Sequence, residues 1–270
     1  MIAPGLSTFC DPGADLQTPM DAAVVIPTVL RVSLHQALVS VFAQAAGGFA
    51  GRVHVLVGVD VAAGGLELVE AACRQRPAGW VVQVLWPGYS TSVRHGGLGR
   101  ARDGGVLRGV LTHLANSRWV AYLDDDNWWD ARHLATLKAA LVQTGADWAF
   151  SLRWFVHPAT SRPVCVDGWE SVGPGRGVFA ERFGGFVDTN CLLVDKLACP
   201  AVPLLWTEPL REDPKGMSAD RRVFESLCRH KGVCTDLPTV FYRVDPGDEM
   251  HEWRVGQIGE AWAQAGLAAG

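Results

Sequence analysis

Residues 119–130 read WVAYLDDDNWWD. A mostly apolar run at 119–123 passes straight into Asp124, Asp125 and Asp126, and Trp128 and Trp129 follow. Three adjacent carboxylates repel one another, and burying any of them without a partner is costly. A chain that places them where a strand leaves a core prepares a seat for positive charge. The bland counterpart is a solvated acidic turn or a helix cap, because Asp is favoured just before a helix.

The segments on either side decide between these readings. AAVVIP (22–27), RVHVLVGVD (52–60), VVQVLWP (81–87), WVAYL (119–123) and DWAFSLRWFV (147–156) read as strands. Between them, helices are expected at 33–44, 66–76, 100–116 and 131–145, the first with Leu34, Leu38, Val41 and Phe42 on one face and the last closed by Gly145. Strands alternating with helices at this spacing predict βαβ units, an α/β fold with a mostly parallel sheet flanked by helices. From 157 to 190 the chain is rich in Gly and Pro and loses its period. A helix at 219–230 and a strand at 238–244 follow, so the C-terminal half is expected to be more irregular. Residues 1–20 and 256–270 read as tails around a single domain spanning 21–255.

Composition bounds the function. The chain has 270 residues, 49% hydrophobic and 19% charged, enough for a sizeable core. A net charge of −4 with no basic stripe excludes a typical nucleic-acid binder. Seven cysteines without a CxxC pair support neither a zinc ribbon nor a redox motif and read as reduced core residues. No apolar stretch approaches the ~20 residues of a membrane span. With no basic, apolar leader at the N-terminus, the expectation is a soluble, cytoplasmic protein.

In an open parallel sheet, ligands bind beyond the carboxyl ends of the strands. Pro27 and Thr28, Asp60, and the aspartates 124–126 each follow a different predicted strand, which puts them on one rim. Carboxylates there suit Mg²⁺ or Mn²⁺, which commonly take one or two carboxylates and leave other positions to substrate phosphates.

VVIPTV (24–29), the strand-terminal Asp60, ARDGG (101–105) and YLDDDNWW (122–129) together resemble the family-two glycosyltransferases of the GT-A fold. The four elements occur in the family's order across about a hundred residues. The resemblance implies a Rossmann-like sheet with a nucleotide-sugar-binding half (21–156) and an acceptor-binding half (157–255). It also implies a metal-dependent, hexosyltransferase-type enzyme that moves a sugar from a UDP- or dTDP-type donor to an acceptor hydroxyl, with inversion. Pro27 and Thr28 would then lie against the nucleotide, and Asp60 would accept the base ring N–H. Arg102 would approach the nucleotide-sugar, and Asp126, with Asp124 or Asp125 beside it, would carry the DXD metal. Asp103 departs from the family's usual Asn and is assigned no role. FGGFVDTNCLLVDK (183–196) resembles the segment that lines the acceptor pocket. In SADRRVFESL (218–227), Asp220 matches the family's general base, with Ala219 in place of its acidic partner. His251 matches a late metal ligand of some relatives.

Each residue also has a plainer reading. Arg102 would be an exposed helix arginine, Asp220 a first-turn Asp and His251 a solvated loop residue. Most tryptophans, among them Trp128, Trp129, Trp154, Trp169 and Trp206, would be core residues rather than sugar platforms. Two other functions compete. A nucleotidyltransferase also needs an acidic metal site, but VVIPTVLRVS lacks a Gly-rich, basic phosphate loop. A glycosyltransferase-like domain that binds without turnover is favoured by Ala219 and opposed by the intact aspartates.

Overall fold

The apolar runs become strands wherever both faces can be covered. In the computed structural model, which describes residues 4–61, 63–102, 104–213 and 218–267, the N-terminal half contains β1 (Gly5–Phe9), β2 (Ala22–Thr28), α1 (Leu34–Phe42), β3 (Val53–Val59), α2 (Glu67–Cys73), β4 (Val81–Trp86), α3 (Gly105–Leu114) and β5 (Trp119–Tyr122). Next come β6 (Trp128–Trp129), α4 (His133–Thr144), β7 (Trp148–Val156), β8 (Pro163–Val166), β9 (Gly173–Pro174), α5 (Ala180–Phe183) and β10 (Gly185–Phe186). The chain ends with β11 (Leu192–Asp195), α6 (Val202–Leu205), α7 (Ala219–Leu227), β12 (Gly232–Arg243), α8 (His251–Ile258) and α9 (Glu260–Leu267).

The main sheet has the order β1-β4-β3-β2-β5-β11-β7-β12-β6, with β8 added to β7. Its centre, β4-β3-β2-β5, is parallel. Every residue of β2 and β3 is buried, which is why these strands read as continuous apolar runs rather than alternating ones. β11 joins antiparallel to both β5 and β7, stitching the C-terminal half onto the parallel core.

α3 packs tightly against both the sheet and α6 because glycines line its contacts. A Cβ on Gly58 would meet Leu111 at 2.8 Å, and one on Gly109 would meet the Pro203 carbonyl at 2.5 Å. The helix expected at 100–116 starts only at Gly105. Gly104 before it is left-handed (φ 78°), and a Cβ there would lie 2.4 Å from Pro27.

Three other expectations change. Residues 5–9, read as part of a tail, form edge strand β1, antiparallel to β4; a short, mostly exposed strand has no hydrophobic period to reveal it. Residues 260–267, also read as tail, form α9, which is likewise unburied. β12 begins at Gly232 rather than 238, because bulges around Pro238 interrupt its pairing with β7. The seven cysteines are free, but only Cys191 and Cys199 are buried. Among the described residues no helix is long and apolar enough to cross a membrane.

Candidate active site

The parallel register brings the strand ends together. Thr28 pairs with Val59, Val25 pairs with Tyr122, and the Asp60 backbone N–H donates to the Thr28 carbonyl at 2.9 Å. Pro27, Thr28, Asp60 and Asp124–Asp126 therefore share one rim.

The three aspartates then diverge, and each meets a different partner. Asp125, 5% exposed, turns inward: its Oδ2 accepts the Thr28 hydroxyl at 2.7 Å and the Val29 N–H at 3.3 Å. It thus ties β2 to β5, and burial raises its pKa. Asp124 pairs with Arg108 of α3 and also accepts Asn190 Nδ2 at 2.9 Å. Asp126 stays at the mouth, 2.8 Å from the half-exposed Arg31. Burial, then Asp124, then Asp125 push its pKa up to about 7, and Arg31 offsets this only in part.

Arg31, which also lies 3.6 Å from Asp125, thus balances the neighbouring carboxylates only in part, and the rim can take further positive charge. The donor set fits a hard divalent cation held by Asp126 with Asp124. His251 does not complete it: among the described residues no three His, Cys, Asp or Glu side chains form a metal-binding group. The His251 ring instead meets the edge of Trp262 at 5.8 Å, because α8 and α9 fold back on each other.

Asp60, 7% exposed, is held by the loop after β4. It accepts the Ser90 hydroxyl at 2.9 Å and the Thr91 N–H and hydroxyl at 2.6 and 2.7 Å. A carboxylate has about four lone-pair directions, so one remains for a ligand N–H. Arg102 is partly buried rather than an exposed helix arginine, and its Nε has no partner among the described residues. Asp103 lies outside the described residues.

Asp220 sits in the first turn of α7, where its Oδ1 accepts the Arg221 N–H at 2.7 Å. Burial pushes its pKa up to about 6; Arg221 opposes this, while Asp188 raises it and Arg108 lowers it. Asp220 is therefore within electrostatic reach of the groups that hold Asp124.

Those groups extend into a buried network that the sequence reading missed. Asn190 Nδ2 also donates to Asp188 at 2.7 Å, and Asp188 meets Arg153 at 2.6 Å. Arg153, 1% exposed, pairs further with Asp167 at 2.8 Å and Glu170 at 2.9 Å. Arg254 of α8 closes the network on Glu170 (2.7 Å) and Asp248 (2.6 Å). This ionic cluster organises the aperiodic stretch 157–190. The one available signal was Arg153 in the middle of an apolar strand.

Of the tryptophans, Trp129 and Trp206 are buried, and Trp128 stacks on Phe241 near the rim with ring centroids 5.5 Å apart. A separate cavity of about 420 Å³, lined by Met20, His54, Gln83 and His113, lies at the amino ends of the parallel strands, away from these carboxylates.

No protein-family model matches the chain, and no curated protein is similar to it in sequence. Solved structures do share its architecture. S. aureus TarS 1–349 superposes with a TM-score of 0.55 at 14% identity, covering 92% of this chain and 72% of that one. The same protein in complex with UDP-GlcNAc gives 0.57 at 13% identity, covering 93% and 70%. The mannosyltransferase PcManGT from Pyrobaculum calidifontis, in complex with GDP-Man and Mn²⁺, gives 0.55 at 12% identity, covering 94% and 66%. What such distant relatives share with this chain is architecture: it has a GT-A-type glycosyltransferase fold.

Proposed function

We propose that this protein is a metal-dependent glycosyltransferase that moves a sugar from a nucleotide-diphospho-sugar to an acceptor hydroxyl with inversion. One observation carries the reading. Asp220, with its pKa raised to about 6, is within electrostatic reach of Arg108, which holds Asp124, and Arg31 offsets the charge crowded at Asp126 only in part. Similar folds bind UDP-GlcNAc in one case and GDP-Man with Mn²⁺ in another, which supports the donor class and leaves the base open.

In this reading Pro27 and Thr28 back the nucleotide, and the remaining lone pair of Asp60 accepts the ring N–H of a uracil- or thymine-type base. Arg102 turns its fork toward the phosphates. Asp126 and Asp124 hold the divalent cation, which when bound offsets the charge that develops on the leaving diphosphate. Asp220 takes the acceptor hydroxyl's proton as its oxygen attacks the anomeric carbon and the bond to the diphosphate breaks. A base with a pKa near 6 is largely ionised at neutral pH and still basic enough to accept that proton.

Thermal unfolding with UDP, dTDP, GDP, CDP and ADP, each with and without Mn²⁺, tests this. The expected result is a metal-dependent stabilisation by UDP or dTDP that disappears in Asp126→Ala. Binding at a hundredfold excess over Kd raises stability by about 2.7 kcal/mol. No shift with any nucleotide would overturn the reading.

A further inference from the structure

Arg221, partly buried, follows Asp220 on α7, and its surroundings differ from those of the buried Arg153 and Arg254. Arg153 and Arg254 are each matched by at least two carboxylates. Arg221 forms no ion pair with a carboxylate among the described residues, and its buried Nη1 has no hydrogen-bond partner. Its guanidinium rests instead among three rings, 4.4 Å from the centroid of Phe179, 4.5 Å from Phe183 and 5.0 Å from Phe186.

Aromatic faces hold a guanidinium in place but leave its N–H donors unused. Burial lowers the Arg221 pKa, Asp220 and Glu170 offset this only in part, and Arg182 and Arg254 add to the lowering. Arg182 is exposed, lies 4.9 Å from the same Phe183 ring, and forms no ion pair among the described residues. Two guanidinium groups thus share one phenyl ring next to the proposed base. A fixed, desolvated fork with free donors matches the planar geometry of an oxyanion.

We propose that Arg221, assisted by Arg182, forms an oxyanion subsite beside Asp220, and that the acceptor carries a phosphate or carboxylate that docks there. The inference rests on the glycosyltransferase reading for the word acceptor; the oxyanion subsite itself rests on Arg221 and its cage. Phe179, Phe183 and Phe186 orient the guanidinium, and the bound oxyanion sets the distance of the acceptor hydroxyl from Asp220.

The test is calorimetric titration of the UDP- and Mg²⁺-saturated protein with inorganic phosphate and, separately, with acetate, at constant ionic strength. Saturation with UDP keeps the probe out of the diphosphate position. Arg221→Met, whose flexible side chain can still fill the aromatic cage, is expected to weaken binding of the preferred probe at least tenfold. Arg182→Gln should weaken it a few-fold, and UDP affinity should stay unchanged in both. A preference for phosphate assigns a phosphorylated acceptor and a preference for acetate a carboxylated one. No binding of either probe to the wild type, or equal affinity in wild type and Arg221→Met, overturns the subsite. If UDP fails to bind, the glycosyltransferase reading falls. The same titration on the unliganded protein, wild type against Arg221→Met, then decides the subsite independently.

Discussion

Asn190 grips Asp124 twice: its side-chain oxygen accepts the Asp124 backbone N–H at 2.6 Å, and its Nδ2 donates to the Asp124 carboxylate at 2.9 Å. The contact joins the C-terminal half of the chain to the tip of β5. Asn190 is fully buried, so Asn190→Ala leaves the Asp124 N–H without its acceptor and removes one donor each from the Asp124 and Asp188 carboxylates. The expected cost is about 2–4 kcal/mol of stability, read from the shift in the urea midpoint at an unchanged slope.

Arg153 is the hub of the buried network, facing Asp167, Asp188 and Glu170. Arg153→Met removes the counter-ion of Asp167 and Asp188, while Glu170 keeps Arg254, and should cost about 3–5 kcal/mol. Without the arginine, these carboxylates favour protonation in the folded state, so their folded pKa values rise above the unfolded ones. Stability of the variant should therefore improve as pH falls from 7 toward 5. Urea titrations at both pH values check this, and a variant equally unstable at both would contradict it.

Asp220 gives a pH dependence with a definite sign. Its folded pKa of about 6 lies above the ordinary carboxylate value of 3.8. The protonated form is thus favoured by folding, and stability associated with this group is lost as pH rises through about 6. Asp220→Asn should therefore unfold at a higher temperature than wild type at pH 7.5, by on the order of 1–2 kcal/mol. Sugar transfer should run the other way. The wild-type rate should fall below about pH 6 as the base is protonated, and the variant should lose roughly 10²–10⁴ in kcat. A variant that transfers sugar at the wild-type rate would remove Asp220 from the mechanism.

Gly104 connects backbone geometry to the donor side. Its φ is +78°, and an added Cβ would lie 2.4 Å from that of Pro27. Gly104→Ala should cost roughly 1–2 kcal/mol for the left-handed residue alone, with the collision added. Pro27 must shift to relieve that collision, so KM for the donor should rise more than kcat falls. Steady-state kinetics separate the two.

The strands that build the rim were legible because parallel strands covered on both faces must be apolar throughout, as in 22–28 and 53–59. Parallel strands joined by helices all end on one side of a sheet, which gathers Thr28, Asp60 and Asp124–Asp126 on one rim, but which strand lies beside which was not legible. Edge strand β1 was not legible: it is mostly exposed, and backbone pairing with β4 rather than a pattern of its own holds it. The stretch 157–190 was read only as irregular, because its order comes from ions that converge on Arg153.

The sequence by itself therefore determined the βαβ framework and the side chains that crowd its carboxyl edge, since hydrophobic period and strand ends are local properties. Only the tertiary structure decided which aspartate does what. Adjacent residues in a turn point in different directions, and their partners come from distant segments: Thr28 takes Asp125 inward, Arg108 and Asn190 fix Asp124, and Asp126 is left facing the rim. It also set His251 against Trp262 and Arg221 in its aromatic cage, because both contacts depend on how the C-terminal helices pack.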